Sequence, residues 1–390
     1  MKFPFVKKTK EEKFLALDFS YEYVFAALFS KRKGEKVIEK VAVQPIEKIG
    51  VFEYRDFNFE VVKSAVDRII ARFKIKKKLP KINVIASFPS DELLLETVDV
   101  SVKRDKSVEN EKISESQASQ IYEQVKQKVR EKVLDKARRI KSGFYSEDIR
   151  IIKEKILEEK ILGYNVSSIV GFRGGSLNFK VLVVFCSAHH FNFIEKLKNA
   201  LFIKKIGIYH KVEGLSNFVK AYSDSPEIFI EVEEKNTNVF LFKKNLQSIL
   251  SFNLGTFAFS DALSKNLNLT TKERQEIEQR FFLKDLSESS LERIRDIISL
   301  PLKEWSEKLS SLVLKNAQSF NFSCRKIFLF SEQNYLEEIK SSIEKSDLVS
   351  KLSQLEKIFY LLPNDLKIKV KGKNNLAANF TPLFLLVLVV

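Results

Sequence analysis

The chain is predicted to be an α/β protein of two lobes with an α+β insert. Two observations support this prediction. Three strands, a helix and a further strand open the chain, and a similar order of strands and helices recurs in its last part. The segment between these two parts differs from both, because it combines long strands with a long charged helix. With 390 residues, of which 44% are hydrophobic, the chain is long enough to form two lobes with substantial cores.

The first part of the first lobe is predicted at residues 12–92. Alternating apolar residues indicate its strands, and apolar residues at helical spacing indicate its helix. In order, the predicted elements are two strands within Lys13–Phe29 that are joined at Ser20–Glu22, a strand at Val37–Val43, a helix at Phe59–Phe73 and a buried strand at Ile82–Phe88.

The α+β insert is predicted at residues 93–202. Ser114 or Ser116 is expected to cap its long helix. The segment Ile149–Ile161 is amphipathic, and its alternation of Ile with Lys and Glu is also compatible with a strand. In order, the predicted elements are a strand at Glu96–Val102, a helix from Glu115 to about Ile140, the amphipathic segment, a Gly-bearing turn at Gly171–Gly175, a strand at Leu177–Ser187 and a helix at His190–Phe202.

The remainder of the first lobe and the second lobe are predicted at residues 203–390. Pro301 is expected to interrupt a long helix, because proline lacks the backbone N–H. The apolar segment Leu383–Val390 is expected to complete the core. In order, the predicted elements are a strand at Ile206–Tyr209, a helix at Gly214–Tyr222, strands at Glu227–Ile230, Asn238–Lys243 and Leu246–Asn253, helices at Ala258–Leu267 and Thr271–Phe281, the interrupted helix at Leu291–Ala317, a strand at Lys326–Phe330 and a helix at Tyr335–Glu344.

Charge and cysteine content limit the possible functions. Lys and Arg (67) exceed Asp and Glu (51), but most of them alternate with acidic residues, and the one dense basic run is Arg72–Lys81. This run is interpreted as a solvated helix end or turn, with an acidic lipid or partner as the alternative, and no nucleic-acid motif accompanies it. Cys186 and Cys324 predict buried thiols rather than a disulfide framework or metal site, which fits a reducing cytosol. The pair His189-His190 is interpreted as a strand-to-helix junction.

The chain resembles the FtsA/PilM group of actin-like ATPases over roughly residues 12–390. The first phosphate hairpin of that group is a strand ending in Asp, a Gly or Ser turn and a second strand, and Leu15–Leu28 matches it. The insert resembles the SHS2-type insert of FtsA between Leu162 and Phe202. The most specific likeness is a Gly turn with paired helices, which covers Phe252–Thr256, Ser260–Leu263 and Thr270–Arg274.

This resemblance implies a two-lobed, actin-like and ribonuclease-H-like ATPase fold with a nucleotide cleft between the lobes. Its vestigial nucleotide-binding residues are expected at Asp18, Ser20, Glu231, Thr237 and Gly255. A magnesium site between Asp18 and Glu231 would need a bound triphosphate in order to support hydrolysis.

Two of the three nucleotide loops depart from the group's pattern. In the second phosphate loop, Glu233-Glu234-Lys235 replaces Gly residues, so the loop loses the φ > 0 geometry that directs backbone N–H groups at phosphates. A carboxylate about 4 Å from a phosphate charge costs about 4 kcal/mol at an effective dielectric of about 20. In the adenosine loop, Ser331-Glu332 stands where the group has a Gly pair. We therefore expect no ATPase activity and no cofactor, with ATP and magnesium bound only if the cleft is functional.

The resemblance implies an FtsA-like scaffold that links cytoplasmic and membrane partners in cell division, located in the cytoplasm at the periphery of the inner membrane. A PilM-like adaptor of type IV pilus assembly is the alternative. The pattern of Gly163–Val166 and Gly171–Gly175 favours FtsA, whereas the absence of an evident C-terminal amphipathic helix favours PilM. A further hypothesis is an enzyme, namely an ATP-binding, filament-forming FtsA. A basic module for membranes or nucleic acid is supported by net charge alone.

The expected partners follow from the same resemblance. They are divisome or pilus proteins, further copies of the chain in filaments, and an anionic membrane surface. Nucleic acid is not expected as a partner.

Overall fold

The structure, a computed structural model, describes most of the chain as two compact units. Unit 1 contains residues 1–89, 201–207 and 211–390, and unit 2 contains residues 90–200 and 208–210. The described residues are 11–46, 58–140, 148–222, 225–243, 245–319, 324–331, 334–352, 355–371 and 378–390.

The first sheet has six strands. These are β1 (Glu12–Phe19), β2 (Tyr23–Arg32), β3 (Glu35–Pro45), β4 (Asn83–Ser87), β9 (Ile206–Ile208) and β15 (Lys369–Val370). Their order is β15-β3-β2-β1-β4-β9. Strands β1, β2 and β3 form an antiparallel meander, and β4 pairs in parallel with β1. The predicted three-strand meander, followed by a helix and a strand, is therefore confirmed.

The second sheet, which lies within unit 1, has five strands. These are β10 (Glu227–Val232), β11 (Thr237–Lys243), β12 (Asn245–Phe252), β13 (Lys326–Ser331) and β14 (Lys357–Tyr360). Their order is β12-β11-β10-β13-β14, and β13 pairs in parallel with β10. The meander and its parallel neighbour thus recur, so that β10 occupies in this sheet the position that β1 occupies in the first.

Within the described residues of unit 1, eight α-helices accompany these sheets. They are α1 (Phe59–Phe73), α4 (Lys211–Tyr222), α5 (Thr256–Leu267), α6 (Thr271–Phe282), α7 (Glu288–Ser319), α8 (Leu336–Glu344), α9 (Asp347–Lys351) and α10 (Thr381–Leu388). Helix α1 illustrates the local signals. The Asn58 side chain accepts the N–H groups of Glu60 and Val61, and Lys74 ends the helix in a left-handed conformation. The predicted bounds of this helix are confirmed.

Helix α7 corrects one prediction, because it continues through Pro301 without interruption. Proline removes one backbone hydrogen bond and normally kinks or ends a helix. Here Ile298 and Leu302 on either side of the proline, together with Trp305 in the next turn, are all buried in the core of the second sheet. Packing along this face therefore outweighs the local cost of the proline.

The described residues of unit 2 form a four-stranded antiparallel sheet with two helices. Its elements are β5 (Leu93–Lys103), α2 (Glu115–Ile140), β6 (Ile149–Ile161), β7 (Tyr164–Val166), β8 (Ser176–Ser187) and α3 (Ala188–Ala200). The strand order is β5-β8-β6-β7. Ser114 is the residue that caps α2, since its Oγ accepts the N–H of Gln117 at 3.2 Å. The amphipathic segment is the strand β6, whose alternation is irregular because its pairing with β8 shifts register twice.

The apolar segment near the end of the chain is buried, as expected. Leu383 to Val387 in α10 are at most 1% exposed. Helix α10 packs on α4 and touches strands of both sheets. Across the described ranges, no helix combines the length and the apolar character needed to span a membrane.

Candidate functional site

Two carboxylates occupy equivalent positions in the two sheets of unit 1. Asp18 is the penultimate residue of β1, and Glu231 is the penultimate residue of β10. Both side chains are fully buried. The repeated topology therefore places one acidic side chain near the end of the central strand of each sheet.

A buried lysine lies between these carboxylates. Lys211, the first residue of α4, is 2% exposed. Its Nζ lies 3.1 Å from Glu231 Oε1, 3.2 Å from Glu233 Oε1 and 3.9 Å from Asp18 Oδ2. The Lys211 ammonium thus places one positive charge among three buried carboxylates.

The loop after β10 binds the beginning of α5 through its own backbone. The carbonyl of Glu233 accepts the N–H of Thr256 at 3.0 Å, and the carbonyl of Glu234 accepts the N–H of Phe257 at 2.7 Å. These amides belong to the first turn of α5, where N–H groups have no partner within the helix and can bind anions. In this protein they are satisfied internally.

Gly255 makes this backbone contact possible. A Cβ at position 255 would lie 2.2 Å from the carbonyl oxygen of Glu233 and 2.7 Å from that of Glu234. The residue is extended, with φ −140°, so close approach rather than left-handed geometry requires glycine here. This predicted vestigial nucleotide-binding residue therefore faces the protein's own carbonyl oxygens.

Ser20 and Thr237 make hydrogen bonds within their own lobes. Ser20 Oγ accepts the N–H of Tyr23 at 3.0 Å and closes the β1–β2 turn. Thr237 Oγ1 donates to the carbonyl of Leu254 at 2.7 Å and accepts the indole N–H of Trp305 at 2.7 Å. Both hydroxyls therefore form hydrogen bonds with residues of their own lobe.

The adenosine-side prediction falls partly outside the described residues. Ser331 is fully buried, and its Oγ donates to the carbonyl of Val232 on the neighbouring strand. Glu332, the second residue of the predicted pair, lies outside the described part of the chain.

A second buried ion network joins α6 to the β1–β2 turn. Arg274 Nη2 lies 3.3 Å from Glu22 Oε1, and Arg274 Nη1 lies 3.1 Å from Glu278 Oε2. The hydroxyls of Ser260 and Tyr335 donate to Glu278 Oε1. Burial and the Glu278 carboxylate raise the pKa of Tyr335 well above its ordinary value, so its hydroxyl remains a donor.

Lys235 adds a contact between the same two loops. Its Nζ lies 3.6 Å from the centre of the Tyr21 ring, which is within the range of a cation–π interaction. The residue that replaces a predicted phosphate-binding glycine therefore contacts the opposite hairpin.

The sequence identified the two carboxylates but missed the cations between the lobes. Lys211 lies on a helix whose sequence shows no binding motif, and its acidic partners are distant in the chain. Arg274 ends the segment Thr270–Arg274 that carries the family likeness, but its ion pair with Glu22, which is distant in the chain, was not predicted. Across the described residues, no group of three or more His, Cys, Asp or Glu side chains is placed to hold a metal ion.

The histidine pair lies in the first turn of α3, at the strand-to-helix junction that was predicted. His190 has a role that the sequence did not reveal. Its Nδ1 lies 2.7 Å from Ser187 Oγ, and its Nε2 lies 3.3 Å from Glu92 Oε2. Ser187 Oγ also accepts the backbone N–H of His190, which is a helix-capping arrangement.

Comparisons with known proteins agree with the topology. No protein-family model matches the chain, and no curated protein matches it. Among solved structures, the PilM-PilN type IV pilus biogenesis complex is similar with a TM-score of 0.65 and 14% identity, over 96% of each chain. At this identity the similarity is evidence for the fold alone.

Weaker similarities extend to other proteins. A Bacteroides thetaiotaomicron protein with an actin-like ATPase fold has a TM-score of 0.40 and 9% identity, over 98% of this chain and 99% of that chain. The ethanolamine utilization protein EutJ from Carboxydothermus hydrogenoformans has a TM-score of 0.45 and 7% identity, over 97% and 90% of the two chains. These scores are too low to support an argument by themselves. The repeated sheets and the similarity to PilM show that the chain has the actin-like ATPase fold.

Proposed function

We propose that this protein is an actin-fold scaffold that does not use ATP and that binds a protein partner of the type IV pilus machinery. The observation that carries the proposal is the position of Lys211 Nζ between Asp18, Glu231 and Glu233. A magnesium–nucleotide complex would need these carboxylates to face a metal ion and needs backbone N–H groups to face phosphates.

The cleft residues do not fit that complex. The ammonium of Lys211 takes the place of the metal charge, and the first amides of α5 are bound to the carbonyls of Glu233 and Glu234. Phosphate binding would require these internal contacts to break and would place negative charge beside buried carboxylates. The proposal therefore assigns no cofactor and no hydrolytic step to the cleft.

The proposed pilus partner has separate support. The chain resembles PilM in fold over 96% of both chains, and the solved PilM structure is a complex with PilN. The cell-division role predicted by resemblance to FtsA, the SHS2 type of the insert, filament formation and peripheral location at the inner membrane remain predictions. The nucleotide-gated enzyme is the competing hypothesis.

Deletion of the gene in its own organism separates the two scaffold roles. Loss of surface pili with normal cell length, restored by the wild-type gene, is the expected result. Elongated, undivided cells with normal pili would instead support the division role and contradict the proposed partner class. Hydrolysis of ATP by the purified protein, above a no-protein control, would contradict the absence of enzymatic activity.

A further inference from the structure

The cations of the cleft connect the two sheets of unit 1 rather than residues within one of them. Asp18 belongs to β1 of the first sheet, whereas Glu231 belongs to β10 of the second and Glu233 follows it. Lys211 contacts all three carboxylates from the beginning of α4. One side chain therefore ties both sheets to the same helix.

The Arg274 network makes a second connection of the same kind. Arg274 lies on α6, whose Phe281 belongs to the core cluster of the second sheet, and its partner Glu22 lies in the β1–β2 turn of the first sheet. Lys235 over the ring of Tyr21 joins the same turn to the loop after β10. Two ionic contacts, made by Lys211 and Arg274, and one cation–π contact, made by Lys235, thus span the cleft at different points.

Burial makes these connections specific. Lys211, Glu231 and Arg274 are all buried, so separating the two sheets would break their close ion pairs and leave any charge that stayed buried without its partner from the opposite side. Inside a protein such charges interact strongly, whereas an unneutralised charge is costly. The closed arrangement is accordingly favoured without any molecule bound in the cleft.

We propose that Lys211 and Arg274 form an internal latch that holds the two sheets in one closed arrangement, whether or not nucleotide is present. This latch would set the conformation of the free protein, independently of whether the protein uses ATP. A partner that binds both lobes would then find its binding surface already formed. Its binding would not have to shift an equilibrium between open and closed arrangements of the lobes.

The test measures the distance between spin labels on the two lobes by pulsed electron resonance. Arg32→Cys on β2 and Ser311→Cys on α7 replace exposed residues. The native thiols do not compete for label, because Cys186 and Cys324 are buried and burial raises the pKa of each to about 12. In the otherwise wild-type protein we expect one narrow distance that magnesium–ATP does not change.

Variants of the latch complete the test. Lys211→Met is expected to broaden the distribution and shift it to longer distances, whereas Lys265→Met, which removes an exposed lysine paired with Asp261, leaves it unchanged. If Lys211→Met does not fold, Arg274→Gln serves as the second latch variant with the same expected shift. Two distances in the free wild-type protein, or a folded latch variant with the wild-type distribution, would overturn the proposal. These outcomes are independent of whether the protein hydrolyses ATP.

Discussion

Lys211 Nζ lies 3.1 Å from Glu231 Oε1, although the two residues belong to different elements and Glu231 stands where the actin-like resemblance places a metal-binding carboxylate. Asp18, from the opposite sheet, lies 3.9 Å from the same ammonium. A cation of the polypeptide itself thus lies among the carboxylates of the cleft.

Lys211→Met is expected to reduce the free energy of unfolding by about 3–5 kcal/mol, because it removes one partner of a buried ionic cluster and leaves its carboxylates. Urea denaturation measures the change. Lys265→Met removes an exposed lysine of an i,i+4 pair and should change stability by less than about 0.5 kcal/mol. Adding Glu231→Gln to Lys211→Met should recover part of the loss, since one buried charge is removed. A loss no larger than in the control would contradict the role of the ammonium.

Gly255→Ala is expected to destabilise the protein by about 1–3 kcal/mol, because the new methyl group meets the carbonyls of Glu233 and Glu234 and forces them away. Hydrogen exchange should quicken at the amides of Thr256 and Phe257, which those carbonyls accept. Gly34→Ala is the control, since Gly34 has positive φ with nothing within 4 Å of its added Cβ. It should cost stability without altering those two amides. Unchanged exchange in Gly255→Ala would argue against the backbone contact.

Lys36 predicts a pH dependence of stability. Its Nζ donates to the carbonyl of Leu388 at 3.0 Å, and burial together with the charge of Lys31 lowers its pKa from 10.5 to about 8. Between these two values the unfolded chain binds more protons at this residue than the native protein, so its contribution to stability rises with pH. The unfolding free energy of the wild type minus that of Lys36→Met should therefore be more positive at pH 9.5 than at pH 7.5. An equal difference at both pH values would contradict the lowered pKa.

The sequence predicted most elements but not the contacts that complete the cleft. The apolar spacing of Phe59–Phe73 defined α1 because its signals are local, including the Asn58 cap. Pro301 misled the prediction for α7, since the packing of Trp305 and its neighbours is a tertiary effect. Gly255 was predicted as a vestigial nucleotide-binding residue, and in the structure the groups closest to it are backbone carbonyls of the same chain.

Lys211 could not be identified from the sequence for a different reason. Its nearest partner in the chain, Glu231, is twenty positions away, and Asp18 lies on a strand of the other sheet. Nothing in the residues around Lys211 distinguishes it from the many exposed lysines of the chain. Only the tertiary position of Lys211 at the beginning of α4 brings its ammonium to the carboxylates.

Calorimetric titration of the wild-type protein with ATP and magnesium tests the central claim most directly. Tight binding of ATP would require the Lys211 cluster and the α5 contacts to open. We therefore expect no saturable heat of binding up to about millimolar ATP. This result would mean a binding free energy weaker than about −4 kcal/mol. A saturable signal with a dissociation constant near 1 μM, about −8 kcal/mol, would contradict the account, because a nucleotide would then occupy a cleft assigned to internal charges.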